Sequence, residues 1–276
     1  MKSGVGAAIN GRCSRTGEDE KISAMSTVLV GTPSDAAPAI LAAGRTDITT
    51  WFVSMSARHP EGRDADYLEW HSLDHRPEQH RLHALRTAFR LVSTPACRAA
   101  RAVSHPRYDT VDHLMTYLFT SSTGLEQFGE LSTGLAKAGR VPYLLPPIER
   151  AVYALNGMLA APRIKAGADV LPWWPAQGVY VLIEQGDHSP SELIDIPGVA
   201  GIWWGKSLPM GPPYTTTAAT DSGRLITYCF LDQEPASVAQ QLRPVLEKRW
   251  AARGLEPLFA APFNVLVPYQ WDRFLP

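Results

Sequence analysis

Cysteine is scarce in this 276-residue chain, and Cys13, Cys97 and Cys229 are odd in number, far apart and without C-x-x-C spacing. That pattern argues against a disulfide framework or a thiolate metal site and makes a reducing cytoplasm the expected compartment. A charge excess is also missing: 26 Lys plus Arg face 27 Asp plus Glu, a formal net charge of -1. No whole-molecule field therefore draws nucleic acid or an anionic membrane to the surface. No apolar run approaches the roughly 18 residues that span a bilayer. Gly-rich phosphate loops, P-loops and serine nucleophile elbows are absent too. Residues 1–24 lack the sustained apolar core of a secretory signal. The expectation is a mostly disordered leader over 1–46, with Met25 as a candidate true start.

The hydrophobic content is 45%, enough for one large core or two smaller ones. The dense chemistry lies in Trp70-His71-Ser72-Leu73-Asp74-His75-Arg76-Pro77-Glu78. On a regular helix Tyr67, His71, Asp74, His75 and Glu78 recur at offsets of three, four, seven and eight, so they share one face. Histidine titrates near neutrality, and an adjacent carboxylate orients its tautomer and favours its charged form. Such a face can hold and move protons.

Around this segment the pattern predicts strand, helix, strand, strand, helix, strand. Residues 50–55 read as the opening strand, and Asp64 or Asp66 as the cap of the helix carrying Tyr67 to His75. Pro77 is expected to end or kink that helix, with a short helical piece following through His80 and His83. Phe89 to Val103 is predicted as one strand interrupted at Pro95, paired with 113–119. Leu125, Phe128, Leu131 and Leu135 mark an amphipathic helix, and 152–155 closes this half. From Gly178 to Val267 a similar order returns, suggesting an internal duplication. Its strands are expected at 179–184, 199–204, 225–230 and 263–267. Ser191 to Ile194 is at most a short helix, and a longer one buries Val238, Leu242, Val245, Leu246 and Trp250 before a Gly254 cap. The expected units are a first repeat over 47–160, a linker over 161–175 with Trp173-Trp174 at the seam, and a second repeat over 176–276.

The double order resembles two fused ferredoxin-like repeats, as in the dimeric α+β barrel superfamily. The helix motif resembles that of EthD-like proteins, in which Trp or Tyr precedes x-x-D/E-H-x-P-E; here Trp70, His71, Asp74, His75, Pro77 and Glu78 stand at those positions. The second half keeps Pro197-Gly198-Val199-Ala200-Gly201 before its strand and has no counterpart of the His71/His75 helix. The resemblance implies a pseudo-dimeric barrel with the histidines in only one of two equivalent pockets. The superfamily spans cofactorless monooxygenases, cyclases, isomerases and haem enzymes, so the fold names no reaction.

Plainer readings compete at each position. The two histidines could merely stabilise the helix-to-loop junction, and Tyr67 could be core with its hydroxyl at the rim. His71-x-x-Asp74-His75 is close to the inverted zinc-peptidase motif, with Glu149 a conceivable third ligand, but aspartate replaces the longer glutamate. His80, His83 and His113 read as surface or loop residues with no axial-ligand motif, although one could meet haem. Arg76, Arg81, Arg86, Arg90, Arg98, Arg101 and Arg107 read as a solvated edge, although one or two could clamp an anion. Of the Trp203-Trp204 pair, alternation sends one ring inward and its neighbour outward.

The resulting expectation is an α+β protein of two fused ferredoxin-like repeats with antiparallel sheets. It acts without cofactor or metal on a hydrophobic or aromatic small molecule by proton transfer beside a carbonyl. His75 or His71 is the base, Asp74 the orienter, and Tyr67, Trp70 and Arg98 contact substrate. The alternative is a non-catalytic binding or assembly protein of the same fold. A homodimer is compatible with either. The enzymatic reading requires the imidazoles to reach a chamber of several hundred cubic ångströms, expected between the two halves.

Overall fold

Alternation of side chains along the strands decides what this protein buries where. The computed structural model describes residues 29–32, 47–211, 213–214 and 223–276. Apart from 29–32, the expected leader lies outside the described residues, as do Cys13 and Met25.

The first half runs β1 (Thr50–Ser56), α1 (Asp64–Trp70), a π-turn (His71–His75), α2 (Arg76–Gln79), β2 (Leu85–Val92), α3 (Pro95–Ala99), β3 (Val103–Ser104), β4 (His113–Phe119), α4 (Gly124–Lys137) and β5 (Pro147–Ala160). The second runs β6 (Gly178–Gln185), a 3₁₀ turn (Ser191–Asp195), β7 (Val199–Ser207), β8 (Arg224–Leu231), α5 (Pro235–Arg253) and β9 (Glu256–Val265). Each half forms an antiparallel four-stranded sheet, ordered β2-β4-β1-β5 in one and β7-β8-β6-β9 in the other. This is the ferredoxin-like order twice over. Pairing of β5 with β7 joins the sheets, and pairing of β2 with β9 closes them into an eight-stranded barrel. The architecture is therefore a pseudo-dimeric α+β barrel within one chain.

The barrel interior is solid. Trp51, Val53 and Met55 point inward from β1 and meet Val179, Val181, Trp203, Tyr228 and Phe259 from the other half. The Trp51 ring lies 5.9 Å from Trp203 and 5.0 Å from Tyr228. The expected chamber between the halves is thus occupied by core. Helices cover the outer face. In the second half Val238, Leu242 and Leu246 of α5 pack directly on Tyr180, Leu182, Ile202 and Cys229. Gly254 ends that helix in the left-handed region at φ 61°, a conformation that costs glycine least.

Several local expectations are corrected. Helical structure continues past Pro77 to Gln79, because the chain widens into a π-turn just upstream, where the Arg76 N–H bonds the His71 carbonyl. The extra residue in that turn accommodates the missing N–H and the steric demand of the proline ring. Neither Asp64 nor Asp66 caps α1: Asp64 accepts from the His59 N–H and pairs with His113, while Asp66 pairs with Arg63. Turns, not a helix, follow through His80 and His83. The predicted strand over 89–103 divides: β2 pairs with β4, α3 intervenes, and β3 pairs with β9. Trp173 is 48% exposed rather than packed at a seam, whereas Trp174 packs beside Ala161 and Ile164. Trp203 does point into the barrel, and Trp204 packs outward under the second half's helix layer. Among the described residues, no helix is long and apolar enough to cross a membrane.

Candidate active site

The outer face of the first sheet is polar where that of the second is apolar. From β1, Phe52, Ser54 and Ser56 point away from the barrel, and the register sets Arg90, Met115, Ser54 and Arg150 side by side across β2, β4, β1 and β5. Above this row α1, the π-turn and α4 enclose a cavity of about 480 Å³. Its walls include Tyr67, Trp70, His71, His75, Tyr117 and Phe128. The chamber thus lies between the sheet and helices of the first half, with Pro213 and Tyr214 from the segment after β7 completing its wall.

Within the wall the rings form a chain. Centroids lie 5.6 Å apart for Tyr67 and His71, 5.4 Å for His71 and His75, and 5.1 Å for Trp70 and His75. His71 Nε2 lies 3.3 Å from the Tyr117 hydroxyl, a phenol whose pKa burial pushes upward. Burial holds the His71 pKa well below the ordinary histidine value, and the positive charge of Arg90 adds to this. His75 is also lowered by burial, but the Asp74 carboxylate opposes that shift. Both imidazoles are therefore held toward the neutral form, the form a base requires. His75, less depressed, is the better matched of the two to proton transfer near neutrality.

Arg90 is only 4% exposed and donates from Nη2 to the Tyr67 hydroxyl at 2.6 Å. Its guanidinium carbon lies 5.0 Å from the centroid of the same ring. Removing a guanidinium from water costs several kcal/mol, whereas a cation over an aromatic face recovers about 0.5–2 kcal/mol. Among the described residues, no carboxylate lies within ion-pair distance of Arg90. Arg76 stands near enough that burial and the like charge of Arg90 lower its pKa.

Of the predicted site residues, Tyr67, Trp70, His71 and His75 converge on the cavity, and Asp74 and Arg98 do not. Asp74 faces Arg140, its carboxylate 3.0 Å from Nη2, and Glu78 reaches the same guanidinium at 3.3 Å. The acidic side of the helix therefore ties down the chain after α4 and orients no imidazole. Arg98 pairs with Asp112 and with the Asp109 carbonyl. The supposed arginine edge divides: Arg81 and Arg86 form exposed pairs with Glu78 and Asp47, while Arg90 is buried in the cavity wall. His113 is wholly buried in β4, its Nε2 2.8 Å from Asp64, and burial lowers its pKa. It is thus neither a surface histidine nor free to meet haem. Glu149 pairs with Arg107 and Arg224, and among the described residues no three His, Cys, Asp or Glu side chains group as a metal site.

Arg90, Tyr117 and Gln79 are the site residues that sequence reasoning did not single out. A usable signal for Arg90 was present: it shares strand parity with Ala88 and Val92, opposite Phe89 and Leu91. Gln79 is 1% exposed, with Oε1 unpartnered.

No protein-family model matches the chain, and no curated protein matches it in sequence. Among solved structures, an anthrone oxidase-like protein is similar at 14% identity and TM-score 0.49, over 82% of this chain and 94% of that one. A candidate monooxygenase of Fusobacterium nucleatum subsp. nucleatum aligns at 7% identity and TM-score 0.45, over 80% and 93%. A candidate chlorite dismutase aligns at 12% identity and TM-score 0.44, over 79% and 95%. The fold assignment rests on the strand order and closure described above.

Proposed function

We propose that this protein is an enzyme that moves a proton beside a carbonyl of an aromatic small molecule, using its own side chains and no cofactor. The observation carrying this reading is a cavity of about 480 Å³, walled by aromatic rings, that two neutral imidazoles reach. In the proposed step His75 takes the proton from the carbon next to the carbonyl, leaving an enolate and an imidazolium. The imidazolium then returns the proton to carbon or oxygen, which yields isomerisation, cyclisation or cleavage according to the substrate. Tyr67 serves as a hydrogen-bond donor to the substrate oxygen, and the Trp70 ring fixes the plane of His75 from 5.1 Å. His71, joined to Tyr117, positions the ring beside it. The helix motif from Trp70 to Glu78 supports placing the chain with EthD-like proteins. A non-catalytic ligand carrier remains the rival reading.

Proton exchange separates the two. Aromatic ketones and diketones incubated with the protein in D2O should exchange their acidic carbon-bound hydrogens faster than in buffer, as read by proton NMR. H75Q should lower that rate about 10²–10⁴-fold, the span of general-base contributions. Bound ketone with no accelerated exchange, or an H75Q protein of full rate, would defeat the enzymatic assignment.

A further inference from the structure

Resting on that reading, we infer that the ligand of this cavity is a planar aromatic carboxylate whose anion seats on Arg90, rather than a neutral hydrophobic molecule. The argument begins with an imbalance of charge. Arg90 lies in the cavity wall and is 4% exposed. Among the described residues the guanidinium makes one hydrogen bond, from Nη2 to a neutral hydroxyl, and Nε is buried with no partner. A guanidinium offers five N–H donors in a planar fork matched to the two oxygens of a carboxylate. Most of that capacity is unused here.

No carboxylate lines the cavity among the described residues, although Arg150 lines it as well. Asp64 is engaged by His113, and Asp74 and Glu78 by Arg140. The buried Arg249 shows the alternative, with Glu184 and Glu192 both bonded to it. A buried cation without a protein counter-ion, open to an aromatic-walled cavity, is the arrangement that a ligand anion completes. The register row from Arg90 through Met115 and Ser54 to Arg150 spans four adjacent strands, or about 14 Å at the usual strand spacing. That length accommodates a fused-ring body extending from the carboxylate. Phe52, Tyr117 and Phe128 cluster at the cavity wall, Phe52 stacked on Tyr117 and Phe128 edge-on to both, with centroids 4.7–5.8 Å apart.

The test compares 2-naphthoate with 2-naphthamide, which has similar shape and no charge, by Trp fluorescence titration and calorimetry on the full chain. Naphthoate should bind at one site per chain about ten- to hundredfold more tightly than the amide, the usual value of a charge-assisted bidentate contact. Arg90→Met should remove this preference by weakening the acid far more than the amide, and Arg90→Lys should retain part of it. Circular dichroism and the thermal midpoint verify that each variant is folded; if Arg90→Met does not fold, the wild-type acid-to-amide ratio and Arg90→Lys still decide. Equal affinity for acid and amide, binding of neither, or an equal loss of both on substitution overturns the inference. Because binding is read rather than turnover, proton transfer can fail while the anion site stands, and the reverse.

Discussion

The same outer face of the same fold is built twice in this chain, and among the described residues one copy carries a cavity where the other is packed. In the second half a row across the sheet reads Trp204, Thr227, Leu182, Ala260, and the apolar side of α5 closes on that face. In the first half the comparable row reads Arg90, Met115, Ser54, Arg150, and a cavity lies over it. Apolar side chains on both surfaces reward contact by burying area, at roughly 25 cal/mol per Å². Two arginines and a serine in the floor remove that reward, and the π-turn widens the helix above them. One half thereby packs its helix onto its sheet, and the other leaves a cavity between them.

Two of the three buried arginines, Arg249 and Arg90, are where this contrast breaks most visibly. Arg249→Met should cost about 3–5 kcal/mol, because it leaves Glu184 buried without its cation. Arg90→Met should change stability by less than about 1 kcal/mol or raise it, since no protein carboxylate is orphaned. Urea unfolding of both variants measures this; equal losses would make Arg90 a structural residue and dissolve the distinction. A reciprocal exchange on the sheet faces sharpens it. Leu182→Ala should cost about 2–5 kcal/mol through the void left under α5, while Ser54→Leu should be tolerated within about 1 kcal/mol because it projects into existing space. A severe loss for Ser54→Leu would mean that the cavity is closed in solution.

Acid sensitivity should produce the smallest effect. His71, His75, His80 and His113, all in the first half, have pKa values lowered first of all by burial. The unfolded chain takes up their protons near pH 6.5, where the folded protein still resists them, so stability is full above about pH 7 and declines as pH falls toward 5. Each histidine contributes at most about 1.4 kcal/mol per pH unit. Removing one by His71→Gln should flatten the decline in unfolding experiments between these pH values. An unchanged slope would show that His71 titrates normally.

Much of the site was legible before the fold was known. Tyr67, His71 and His75 share one helical face by spacing, Trp70 enters through the resemblance to the EthD-like helix, and all four line the cavity. Asp74 was misplaced because helical offsets assume a regular α-helix, and the π-turn of His71–His75 changes the angle at which later residues emerge. Arg90 was hidden for a different reason. Seven arginines between positions 76 and 107 look alike in sequence, and only strand pairing assigns one to a buried face and another to solvent. Arg98 was drawn toward substrate by the same ambiguity, yet the fold places it against Asp112.

By itself the order of residues determined most of the secondary elements, the repeated strand order and the grouping of two histidines with aromatic rings on one helix, because periodicity and turn chemistry act over short stretches of chain. Barrel closure, the packed interior between the halves and the location of the cavity were decided only in three dimensions. Those properties depend on which distant side chains meet across a sheet, and on whether a buried charge finds a partner. Neither is a local quantity, so neither can be read one segment at a time.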